Sequence, residues 1–201
     1  MTGKGTPGRR IRRLTAAVLF LFLSACGRAE VAWNGETEYF AHMTMVLDVS
    51  DPYVYAGMVD YIFAGTVTEI EKIVLPEKGR RHEDSFSVYR IRVEENLKGA
   101  LTEEVVCSKL GGMKKDGTMM LVVAEVPGGV EIPDTGLPEV GKRYVFMAYG
   151  QKDGSLQLSE IFDSREVSEE LLAEYAEYVE HEIPYERQRF PSKYDAGGGS
   201  A

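Results

Sequence analysis

Cysteine is nearly missing from this 201-residue chain, which holds only Cys26 and Cys107. Histidine is scarce as well: His42, His82 and His181 stand far apart, and none is at metal-ligand spacing from another His or from a Cys. The sequence therefore points to no metal site and no cofactor. The run His42-Met43-Thr44-Met45 is read as packing rather than as a soft-metal site. There is no Gly-x-Ser-x-Gly elbow, and Gly111-Gly112 and Gly128-Gly129 lack the strand-to-helix setting of a phosphate loop. Paired carboxylates such as Glu94-Glu95, Glu103-Glu104 and Glu169-Glu170 read as solvated surface in an acidic chain. No enzymatic activity is expected. Basic residues are also in deficit, 23 Lys and Arg against 32 Asp and Glu, for a formal net charge of −9. Such a surface repels phosphate backbones, so nucleic acid is not expected as a partner. Long apolar runs are absent too. Residues 14–23 form a run about half the roughly 20 residues that a membrane-crossing helix needs.

That short run is informative because of its flanks. Lys4, Arg9, Arg10, Arg12 and Arg13 precede it without any acidic residue, and Leu23-Ser24-Ala25-Cys26 ends it. A basic start followed by a short apolar core is the pattern of a secretory signal. Its end resembles the lipobox of bacterial lipoproteins. The resemblance implies that residues 1–25 are a signal peptide and that Cys26 carries the lipid, tethering the protein to the extracytoplasmic face of a bacterial cell membrane. Removing the five basic residues of that leader would take the formal net charge from −9 to −14. With Cys26 acylated, no intramolecular disulfide is possible, and Cys107, in the strand-like run Glu104–Ser108, reads as a small buried hydrophobe.

The remainder is long enough for one domain with a sizeable core. Residues 26–48 have weak periodicity and are expected to act as a tether; residues 49–183 carry the domain, and 184–201 are expected to be a flexible tail. Asp51-Pro52 is a helix-start signal for a short helix ahead of residue 59. Strand-like runs follow at residues 61–74, 86–94, 104–109, 119–124, 143–149 and 156–162, separated by turn signals such as Asp116-Gly117 and Asp153-Gly154. Pro127 to Gly141 reads as a long loop. From Ser168 the period changes: Val167, Leu171, Tyr175 and Val179 recur every four residues, which predicts an amphipathic helix stopped before Pro184. The expected class is mainly β (α+β), a small antiparallel barrel of five or six strands with a C-terminal helix.

The succession Val59–Val67, Tyr89–Val93 with Leu97-Lys98-Gly99, Gly111-Gly112 and Val140–Phe146 resembles secreted bacterial proteins with an oligonucleotide/oligosaccharide-binding (OB) barrel. The barrel type is like that of the tissue inhibitors of metalloproteinases and of netrin modules. Those inhibitors act through a disulfide-held amino-terminal cysteine, which this chain does not match, so no inhibitory residue carries over and the resemblance implies fold alone. In this barrel type the loop after the first strand and the last hairpin frame the ligand face. The basic cluster Arg80, Arg81 and His82, beside Lys78, and Lys152 on the last hairpin are accordingly the candidate ligand-binding residues. The expected function is that of a lipid-anchored binding or interaction module, its partner an envelope protein or a glycan. The alternative is an accessory envelope protein with no ligand of its own. An exported hydrolase is the least favoured reading.

Overall fold

The computed structural model describes residues 31–44, 47–74 and 85–197, with backbone alone for 40–44. Cys26, Arg80, Arg81 and His82 lie outside the described residues. The chain is mostly β-structure with two helices. Strand β1 (Thr37–Thr44) is followed by helix α1 (Pro52–Met58) and strands β2 (Tyr61–Val74), β3 (Phe86–Lys98) and β4 (Glu104–Leu110). Then come β5 (Gly112–Met113), β6 (Met119–Val126), β7 (Val130–Pro133), β8 (Arg143–Gly150) and β9 (Leu156–Leu158), and finally helix α2 (Glu169–Glu180).

Five strands close into a barrel in the order β2-β3-β4-β9-β8. Every neighbouring pair is antiparallel except β4 with β9, where Cys107 and Ser108 run parallel to Leu156 and Gln157. The expected barrel with a C-terminal helix is therefore present, as a mixed rather than purely antiparallel sheet, and its order is compatible with an OB-like fold. Four register shifts between β2 and β3 bend that long pair around the barrel, since each extra residue on one strand adds local twist. The inward positions supply one core: Phe63, Val67, Tyr89, Ile91, Val105, Cys107, Tyr144, Phe146 and Phe162. Phe146 stacks on Phe162 with ring centres 5.9 Å apart and leans on Phe63 at 5.4 Å. Cys107 is fully buried there, and that burial pushes its thiol pKa up.

The stretch Pro127 to Gly141, expected as a loop, contains a strand, β7, and so belongs to a larger excursion between β4 and β8. That excursion carries β5, β6 and β7, and β6 pairs in parallel with β1, which falls within the span read as tether. The helices cover the outside of the barrel wall. Asp51 caps α1 by accepting from Tyr53 N (2.9 Å), with Pro52 at the first helical position. Ser168 caps α2 by accepting from Leu171 N (3.1 Å). Tyr55, Ala56 and Met58 of α1, and Leu171 and Tyr175 of α2, pack against the outward side chains Ile62, Val145 and Met147 to make a second core.

Beyond α2, residues 183–196 form a strap rather than a loose end. Ile183 N donates to Tyr53 O, Lys193 N to Gly154 O, and Ala196 N to Ala100 O, while Ser192 N donates to the Tyr61 hydroxyl. Two glycines let the strap lie this close: a Cβ at Gly57 would stand 1.9 Å from Ile183 O, and one at Gly150 would stand 1.9 Å from Phe190 O. The strap also returns two cations to the start of the barrel. Arg187 and Arg189 both pair with Asp60 (2.6 and 2.7 Å). Arg187 donates to Met58 O, Arg189 donates to Gly57 O and Val59 O, and Lys98 donates to Ala56 O. The carbonyls left open at the end of α1 are thereby satisfied by positive charge, the sign that the helix dipole favours at that end.

Candidate functional site

The two helices do not seal the barrel wall completely. Between α1, α2 and β8 lies a half-open cleft of about 450 Å³. Its floor is apolar, made by Val145, Met147, Ile161 and Phe162, and Tyr55, Tyr175 and Tyr178 line its helical side. The tyrosines arrive there for a simple reason. Tyr175 and Tyr178 are three residues apart on one face of α2 and pack edge to face at 5.4 Å; Tyr178 meets Tyr53 of α1 in the same way at 5.5 Å.

One rim of the cleft is charged. Arg165 grips Glu174 through both terminal nitrogens (3.0 Å each) and holds Asp163 through Nε (2.9 and 3.0 Å) and Nη2 (2.7 Å). Tyr175 donates to Asp163 (3.1 Å) and Tyr178 donates to Glu174. Burial alone would raise the Asp163 carboxyl, but Arg165 and Tyr175 carry it below its ordinary value. Hydrogen bonds from Arg165 and Tyr178 likewise lower Glu174, and the two carboxylates together raise Arg165. The rim is thus one cation shared between two anions, fixed in place by forked hydrogen bonds. The hydroxyl of Tyr55 is buried beside Tyr149 and the Ile161 carbonyl. Burial, and the nearby Tyr149 and Glu160, push its pKa well up, so it is a permanent donor.

A second polar group is buried away from the cleft rim. Lys109 and Asp134 are fully buried as an ion pair. Lys109 also donates to Glu160 O (3.2 Å) and sits 5.8 Å from the centre of the Phe162 ring. Asp134 accepts from Phe162 N (3.1 Å). Burial raises the Asp134 carboxyl, and Lys109 opposes the rise. Glu160 is also buried and raised by burial, with Gln157 donating to it at 3.1 Å. The pair has no exposed face: it locks the β5–β7 excursion and the segment after β9 onto the barrel.

Of the residues singled out from sequence, Lys152 is exposed on the β8–β9 hairpin. That hairpin meets the strap at Lys193 and lies by the Tyr61 end of β2, where Tyr61 pairs with Ala148. The β2–β3 connection, which contains Arg80, Arg81 and His82, leaves from Val74 at the other end of that 14-residue strand. Among the described residues, no group of three or more His, Cys, Asp or Glu is placed to hold a metal ion. None of their helices is long and apolar enough to cross a membrane. The cleft was not legible from sequence: the tyrosine-rich face of α2 reads as packing against the barrel, and it does so pack. Neither a protein-family model nor a curated protein matches the chain.

Proposed function

We propose that this protein is a lipid-anchored module at the extracytoplasmic face of a bacterial membrane, and that it binds a small, largely apolar ligand in the cleft between α1, α2 and β8. The single observation that carries the binding half is the cleft itself: an apolar floor lined on its helical side by three tyrosines. Pockets of this size with few, well-placed polar groups are the usual form of a small-molecule site. The Asp163–Arg165–Glu174 rim would orient a polar end of the ligand, preferably a hydrogen-bond donor, since two carboxylates face one guanidinium. The anchoring half is supported by the lipobox-like Leu23–Cys26 and its basic, apolar leader. Envelope proteins and glycans are then the available macromolecular partners, and the resemblance to the netrin-type OB barrel belongs to the same reading.

Native mass spectrometry of the full-length protein purified from its own membranes tests the cleft. A bound small molecule is expected, and Ser164→Trp, at the exposed rim, is expected to remove it without lowering the melting temperature. A wild-type protein that carries no adduct, or an adduct that survives Ser164→Trp unchanged, would refute the assignment.

A further inference from the structure

Six large apolar side chains are exposed among the described residues, and three of them, Val31, Trp33 and Tyr39, fall within the first nine of those residues. Val31 is 45% exposed and Trp33 55%. Their segment is nonetheless fixed to the domain. Asn34 N donates to Gly117 O (3.0 Å), and Asn34 Nδ2 donates to Asp116 O (3.1 Å) and to the Thr118 hydroxyl (3.3 Å). Asn34 Oδ1 accepts from Glu36 N (2.7 Å), and Met119 N donates to Glu36 O (3.0 Å). The indole N–H of Trp33 is also used internally, donating to Glu36 O at 2.8 Å. The ring is thus held out from the domain with its one polar group already satisfied, so moving it out of water would leave no unmet donor.

We propose that this edge of the molecule, Val31 and Trp33 beside the β5–β6 turn, rests on the bilayer surface with Trp33 in the headgroup region. The inference rests on the reading of Cys26 as the lipid-bearing residue. Trp33 is the seventh residue after Cys26, and that stretch spans at most about 25 Å when fully extended. A lipid at Cys26 therefore keeps Trp33 within about 25 Å of the membrane, close enough for its ring to reach the surface. Tryptophan prefers that interface because its ring is apolar while its edge tolerates water. The local charge fits a zwitterionic surface: Lys114 and Lys115 stand near Glu36, Glu38 and Asp116, almost balancing them in an otherwise acidic chain. Lys114 pairs with Glu38 (2.5 Å), and Lys115 is exposed.

Trp33 is the chain's sole tryptophan, so its fluorescence reports this one position. The lipidated full-length protein is reconstituted into zwitterionic phosphatidylcholine vesicles, with Cys26→Ala protein in buffer as the water-exposed reference. The expected result is emission at shorter wavelength, weaker quenching by acrylamide, and stronger quenching by lipids brominated near the headgroup than by those brominated deep in the acyl chain. If the protein floats with the vesicles while Trp33 emits and quenches as in the reference, the surface contact is overturned and the anchor stands. If the full chain does not float, and Cys26→Ala leaves fractionation unchanged, the anchor reading fails and this inference falls with it.

Discussion

Lys109 illustrates how one side chain commits a fold. It lies on β4 at the same parity as Val105 and Cys107, so the strand aims its ammonium into the barrel. There it is compensated by Asp134 and by the Glu160 carbonyl. Removing one member leaves the other charged and buried, and Lys109→Met is expected to cost about 3–5 kcal/mol in chemical denaturation. Adding Asp134→Asn should restore part of that loss, because the amide oxygen still accepts from Phe162 N. Glu160 behaves in the opposite sense. Its folded pKa is raised by burial, so the folded state binds a proton more readily than the unfolded chain, and the wild type gains stability as pH falls through that raised value. Glu160→Gln has no charge to bury. It is expected to be more stable than wild type at pH 7, by on the order of 1 kcal/mol, with the advantage shrinking toward the ordinary carboxylate range. Melting curves at several pH values check this, and a constant difference would count against it. The strand-like run around Cys107 was visible in the sequence, and its alternation extends to Lys109. The partner of Lys109 was not visible, because Asp134 sits in a Pro/Gly-rich stretch without periodicity.

At the level of elements, periodicity was a good guide wherever an element had one face to bury. The caps at Asp51 and Ser168, the strands β2, β3, β4, β6 and β8, and the four-residue spacing of α2 were all readable for that reason. The strap was not, because its hydrogen bonds run to main-chain groups of other elements and impose no pattern on its own side chains. The same holds for β7, four residues whose partner is set by β6. The cleft was illegible for a related reason: it is a gap between elements, and a sequence records faces rather than gaps. Two distant glycines do register the strap. Gly150→Ala would force its new methyl into Phe190 O and is expected to cost about 1–3 kcal/mol. Limited proteolysis should then cut faster within residues 184–197, while the circular dichroism spectrum keeps its β-rich form. Unchanged cleavage would mean that the strap is not held at that crossing.

Across the whole molecule, the chain closes on itself twice. β8 returns to pair with β2, and the strap returns Arg187 and Arg189 to Asp60 at the very start of β2. Both closures join residues far apart in sequence, the kind of contact that forms late because loop entropy must be met first. This has a consequence for synthesis. Until residues 187–189 have been made and have folded back, Asp60 has no counter-ion and the Gly57 and Met58 carbonyls at the end of α1 have no side-chain donor. The start of β2 is therefore expected to be among the last parts of the barrel to become fixed as the chain is made.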